Sequence, residues 1–277
     1  MTLLKTIALS LIFFASAEAI ATAQPATSPV TVPQIVPAPA VATAPEPTVE
    51  IEVGTSHETL TNDRGFWDSS YLQITRRADG GHILYGRLLA TDRFSQFDRQ
   101  WIVGDYFPLA KNWSGFVEAS VSPSHRILPS YTLSGGVQLA LGAGWFGGAI
   151  VRHTEYDTQS VNAAVVSVER YWKQFRGYYA LTGARLNATG TDVAQTFAFG
   201  YYYGSTGRDH ATITHTVGRD VENVGAPALL ASRVREWALT GRQQIGTRTS
   251  LRYELGVGVQ GSSYTRTGGS LGLDYRL

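Results

Sequence analysis

The chain has 277 residues, a formal net charge of +1, no cysteine, and 29 glycines, 14 tyrosines and 6 tryptophans. The missing cysteine excludes a lipid-anchored cysteine, structural disulfides and thiol catalysis together. Near-neutral charge without a basic cluster gives no footprint for nucleic acid. The chain also lacks a Walker loop, a GxGxxG entering a helix and a CxxC pair, so no cofactor is expected.

Residues 1–23 read as a signal peptide. Lys5 supplies the positive start, and Thr6–Ala15 holds the apolar run. Ala21-Thr22-Ala23 fits the small-x-small cleavage rule, with Ala17-Glu18-Ala19 as the alternative. The apolar run falls short of the ~20 residues that a transmembrane helix needs. Residues 24–47 then change composition: Pro25, Pro29, Pro33, Pro37, Pro39, Pro45 and Pro47 are spread among Ala, Thr and Val. Proline lacks the N–H and resists both helix and sheet, so this segment reads as an extended periplasmic tether. It is a spacer, or a contact for a periplasmic partner.

Residues 48–277 read as one all-β domain. No stretch keeps a 3.6-residue apolar period. Two-residue alternation recurs instead, interrupted by turn residues, and lysine occurs only at Lys5, Lys111 and Lys173. That pattern predicts membrane strands of about ten residues each. Fourteen are expected, near 48–57, 66–77, 81–92, 97–108, 113–122, 130–141, 145–155, 160–171, 175–186, 193–203, 209–218, 232–243, 248–259 and 267–277. Alternation is least regular at 48–57, 66–77 and 232–243, so twelve strands is the alternative. An antiparallel β-barrel of 12–14 strands is therefore expected. Short turns are predicted at Ala78–Gly81, Leu109–Asn112, Gly142–Gly144, Trp172–Gln174, Gly204–Arg208 and Gln244–Thr247, and these are assigned to the periplasmic side. Longer outer loops are predicted at His57–Gly65, Ser122–Pro129 and Gly218–Ala231. Trp113, Trp145, Trp172 and Tyr201–Tyr203 fall beside the short turns, where aromatic rings suit a membrane interface.

The final strand carries the sharpest signal. Leu271, Leu273, Tyr275 and Leu277 share one face, and Gly272, Asp274 and Arg276 the other. Ser270, Gly272, Tyr275 and Leu277 resemble the terminal signal of bacterial outer-membrane barrels, polar-x-Gly-x-x-apolar-x-aromatic, which the barrel-assembly machinery reads. The departure is Leu277, where Phe is usual. The resemblance implies the outer membrane of a Gram-negative bacterium.

A charge facing lipid at mid-membrane costs about 2–4 kcal/mol for Arg or Lys. Glu118, Arg252, Glu254, Asp274 and Arg276 alternate with apolar neighbours, so they are expected to line a polar lumen and to pair across it. Arg64, Arg93, Arg126 and Arg219 are expected on the outer surface, where arginine forks suit lipopolysaccharide phosphates. For catalysis a base must sit beside a nucleophile or a water. His57, His82, His125, His153, His210 and His215 are the candidates, and none has the neighbourhood of an outer-membrane phospholipase, protease or lipid A enzyme. His153, Glu155 and Asp157 share a strand parity that could suit a surface metal. No catalytic or metal residue is assigned.

The stretch Ser122–Tyr131, with Gly135-Gly136-Val137-Gln138-Leu139, Gly144-Trp145, Arg170-Tyr171 and Tyr178-Tyr179, is similar to the YaiO family of outer-membrane β-barrels. The resemblance implies a barrel without an established enzymatic activity, so no catalytic residue transfers. Some relatives carry an N-terminal helical repeat region, which implies export of cell-surface or extracellular polysaccharide; this chain has the proline-rich tether there instead. The expectation is thus a monomeric pore, translocator or structural envelope protein, in contact with outer-membrane lipid, lipopolysaccharide and the assembly machinery. The alternative is a lipid- or peptide-hydrolysing enzyme with a site near the outer rim.

Overall fold

The computed structural model describes residues 48–186, 191–204, 208–223 and 229–277. The expected signal peptide and tether lie outside these residues. The strands are β1 (Thr48–Leu60), β2 (Phe66–Arg77), β3 (Ile83–Arg93), β4 (Gln96–Ala110), β5 (Trp113–Val121), β6 (Tyr131–Gly142) and β7 (Trp145–Glu155). They continue as β8 (Ser160–Trp172), β9 (Phe175–Leu186), β10 (Thr191–Tyr203), β11 (Asp209–Asn223), β12 (Leu229–Gln244), β13 (Thr249–Gln260) and β14 (Tyr264–Arg276). Each pairs with its sequence neighbours, and β14 pairs with β1 to close the barrel. The count is fourteen, which discards the twelve-strand alternative.

Alternation decides which way each side chain points. Along β7, Ile150 is 3% exposed while its neighbour Val151 is 66% exposed. The exposed members are mostly Val, Leu, Ile and aromatics, an apolar exterior that matches hydrocarbon. Trp113, Trp145 and Trp172 ring one end of this exterior, next to the short turns; Trp101 and Trp237 face out farther along β4 and β12. Of the three tyrosines at the end of β10, Tyr202 is buried inside and Tyr201 points out.

The connections are tighter than expected at the long-loop end. β1 runs on to Leu60, and β11 and β12 stay paired from Arg219↔Arg233 to Asn223↔Leu229. Continuing the ladder satisfies backbone N–H and C=O groups that an open loop would leave to water. Phe94 and Ser95 turn β3 into β4 with φ of 52° and 58°. A positive φ is unfavourable for phenylalanine; here the Phe94 ring packs edge-on against Trp67 at 5.4 Å, which holds the turn. At the opposite end Gly144 (φ 79°) turns β6 into β7 against the Tyr171 backbone, where a Cβ has no room.

Candidate functional site: the barrel interior

The inner face carries two unlike clusters. On β3–β9 an apolar cluster sits among polar neighbours: Tyr106, Phe116, Ile150, Val165 and Ala180 are buried together, with Ile83, Tyr85 and Tyr178 packed against them. Tyr85, Tyr106 and Phe116 stack in series at 5.8 and 5.6 Å. β6 contributes Gly136, over which the Phe116 ring lies.

On β12–β14 and β1 the inner face is ionic. Arg242 and Arg252 share the Asp274 carboxylate at 3.0 and 3.3 Å, and Arg252 also reaches Glu52 at 3.2 Å. Arg276 pairs with Glu50 at 2.8 Å. Arg242 and Asp274 have side chains only 2% and 3% exposed, so these charges depend on each other rather than on water. The network crosses the seam where the last strand meets the first.

Tyr71 locks the same seam sterically. Its ring lies across Gly54 of β1, at the level where Gly54 pairs with Gly272 of β14. A Cβ on Gly272 would stand 2.7 Å from the Tyr71 hydroxyl, which donates to Glu52 at 2.5 Å. Glycine at 272 thus has a spatial reason. Of the other terminal-signal residues, Ser270 pairs with Ser56 and Glu254, Tyr275 and Leu277 face outward, and the Leu277 N–H donates to Val49.

The sequence-selected charges do not form one group. Arg252, Asp274 and Arg276 meet around β1. Glu254 lies farther along β13, in a glycine-walled recess with Glu58, Glu236 and Arg266, where Arg266 bridges Glu58 at 3.2 Å and Glu236 at 3.3 Å. Glu118 sits on β5, far round the wall, and accepts from Tyr85 at 2.5 Å. The residues that sequence reading missed are three of their partners, Glu50, Glu52 and Arg242, and a separate buried pair, Arg176–Glu169, at 2.8 Å. Strand parity was the available signal for them.

The mouth at the long-loop end is narrowed from within. Asp98 of β4 accepts the backbone N–H groups of Ile127 at 2.7 Å and Leu128 at 2.9 Å. This pins the β5–β6 loop inward, and Leu128 is fully buried. Beside it Trp67 packs with Leu60, Tyr264 and Phe94, between the guanidiniums of Arg93 at 4.3 Å and Arg266 at 5.3 Å. Arg93, expected on the outer surface, is 3% exposed and points inward, because the tight β3–β4 turn sets its parity.

The histidines are engaged in ways that matter for chemistry. His125 binds Asp157 through Nε2 at 2.8 Å and the Ser122 carbonyl through Nδ1 at 3.1 Å, so neither nitrogen is left to accept a proton from Ser124. His153 meets Asn162 through Nδ1 at 2.8 Å and Tyr131 and Glu155 through Nε2 at 3.3 and 3.5 Å. Asp157 therefore does not join His153 and Glu155. Among the described residues no three His, Cys, Asp or Glu side chains come together as a metal site.

A closed antiparallel barrel with an apolar exterior and a polar, ion-paired inner face defines a membrane β-barrel. The chain belongs to the YaiO membrane beta barrel domain family, whose model matches residues 48–223. No curated relative matches the chain. Among solved structures it is similar to a bacterial polysaccharide outer membrane secretin, at 9% identity and a TM-score of 0.55, over 83% of this chain and 98% of that one. It is also similar to the CymD monoaromatic hydrocarbon channel, at 8% identity and a TM-score of 0.52, over 83% of this chain and 88% of that one. At such identities the likeness is one of fold.

Proposed function

We propose that this protein is an outer-membrane barrel of a Gram-negative envelope that passes a polar solute or chain through its interior, in the service of cell-surface or extracellular polysaccharide export. The observation that carries the reading is an inner face that holds both an aromatic stack and an ionic network. A sugar ring has an apolar face that packs on aromatic side chains, and hydroxyl or carboxylate groups that bind charged forks. The Tyr85–Tyr106–Phe116 stack on β3–β5 and the Arg242–Asp274–Arg252–Glu52 network on β12–β14 and β1 supply these two chemistries on one inner wall, joined through Tyr71 of β2.

In this reading the protein works as a monomer, inserted by the barrel-assembly machinery, with residues 24–47 as its periplasmic tether. The polar interior, and not a catalytic rim, is its working part; the engaged nitrogens of His125 and His153 give the hydrolase alternative no support.

Single-channel recording of the refolded protein in planar bilayers tests this. Discrete conductance steps, partly blocked by added uronate oligosaccharides, are the expected result. A heat-modifiable, folded barrel without any conductance would overturn the transport reading and leave a structural envelope protein.

A further inference from the structure

The lipid-facing side of the β11–β12 hairpin carries an arginine cluster that nothing in the pore reading uses. Arg219 of β11 stands directly opposite Arg233 of β12, and Arg235 follows two residues along on the same outward face. Facing residues in such a ladder have Cβ atoms ~4.5–5.5 Å apart, and like charges there repel. Arg219 is offset by Asp192, whose Oδ1 lies 2.6 Å from its Nε, and its Nη2 donates to the Ala231 carbonyl at 3.3 Å. Among the described residues no carboxylate pairs with Arg233 or Arg235, and both are exposed.

Position along the strand gives the cluster its meaning. A membrane strand needs about 9–11 residues. Counted up from the short-turn end of β12 at Gln244, that length is reached near Arg235 and Arg233. The next outward residue toward the membrane is Trp237, stacked on His215 at 4.1 Å, and below it Leu239 and Ile213 face lipid. Unpaired guanidiniums therefore sit one step above an aromatic ring and an apolar wall. Acyl chains against the wall and an anionic headgroup against the guanidiniums would satisfy both.

We propose that Arg233 and Arg235, with Arg219 beside them, form a surface site for a phosphorylated glycolipid of the outer leaflet. Guanidinium forks bind phosphate oxygens in pairs, and a phosphate between Arg219 and Arg233 turns their repulsion into attraction. The proposal rests on the outer-membrane reading above, which places this end of the barrel in the outer leaflet.

The test uses the full refolded protein in detergent, with folding checked by heat-modifiability. Native mass spectrometry counts bound lipid A, its enzymatically dephosphorylated form, and phosphatidylglycerol. One lipid A per chain is expected to be retained, with at least tenfold less retention of the dephosphorylated form by the same wild-type protein. An R233Q/R235Q variant with normal heat-modifiability should lose retention to a similar degree, and inorganic phosphate should not compete. Equal retention of the dephosphorylated form, of phosphatidylglycerol, or of lipid A by the variant would overturn the site. Conductance is read separately: loss of conductance with selective lipid retention sinks the transport reading alone, and the converse sinks this one.

Discussion

Gly272 shows how one missing methyl group organises the closing seam. The Tyr71 ring occupies the space that a side chain at Gly54 or Gly272 would take, and from there its hydroxyl reaches Glu52. Gly272→Val should therefore displace Tyr71 and destabilise the barrel by about 1–3 kcal/mol, the usual cost of overpacking. Urea unfolding of the refolded protein would read this, and adding Tyr71→Ala should restore part of the loss. If Gly272→Val unfolds like wild type, the steric account of the seam is wrong. Asp274 makes a second case. It bridges two buried arginines, Arg242 and Arg252, and although Arg252 also reaches Glu52, Asp274→Asn should cost about 3–5 kcal/mol, as breaking a buried pair does. Glu118→Gln keeps an oxygen for the Tyr85 hydroxyl and should cost about 1 kcal/mol or less. Equal losses in the two variants would contradict the distinction. Which residues alternate inward can be read from strand parity, but which of them meet cannot. Arg252 finds Glu52 only because β13, β14 and β1 lie side by side in one register, and that register is a property of the closed ring.

Among the elements, β14 has the largest consequence. It joins β1 through a ladder from Glu50↔Arg276 to Leu60↔Arg266, and without it two strand edges would face hydrocarbon with unpaired backbone groups. Leu277→Asp, or removal of residues 270–277, should abolish assembly; fractionation of cells and the heat-shift on a gel would show it, and normal outer-membrane levels of the shortened chain would refute it. The inward β5–β6 loop offers a milder test. Asp98 satisfies two of its amides, so Asp98→Ala should free the loop while the barrel stays closed. Faster proteolytic nicking within 122–130, with an unchanged heat-shift, is the expected pattern. This loop was legible as a loop from its two prolines and serines, but its fold into the mouth was not. That depends on a carboxylate from another hairpin, about 30 residues earlier, whose inward direction gains meaning only beside Leu128.

At the scale of the whole molecule, the fold was read from the two features that a membrane barrel cannot hide: apolar–polar alternation, and turn residues at intervals near one strand length. Both are local, which is why most strand limits fell within a few residues of the structure. The larger misses, at 57–65 and 218–231, came from treating polar composition as loop. A hairpin that rises above the membrane has polar residues on both faces and loses the alternation by which strands are recognised. The seam network of Glu50, Glu52, Arg242, Arg252, Asp274 and Arg276 joins strands β1 and β12–β14 to one another, so barrel closure is expected without the tether. A chain lacking residues 24–47 should give the same heat-shift and unfolding midpoint as the full protein, and a lower midpoint would assign the tether a structural part.

The seam also sets an order of events. Arg276 and Glu50 are 226 positions apart in sequence yet share a hydrogen bond at the junction of the last strand with the first. Contacts of such separation form late and slowly, because nearly the whole chain must be present before either partner has its mate. A barrel closed in this way cannot grow strand by strand into a finished wall as it emerges from the ribosome. Its apolar outer face stays without a home until the end, so the chain must travel unclosed, in the care of something that keeps it from itself.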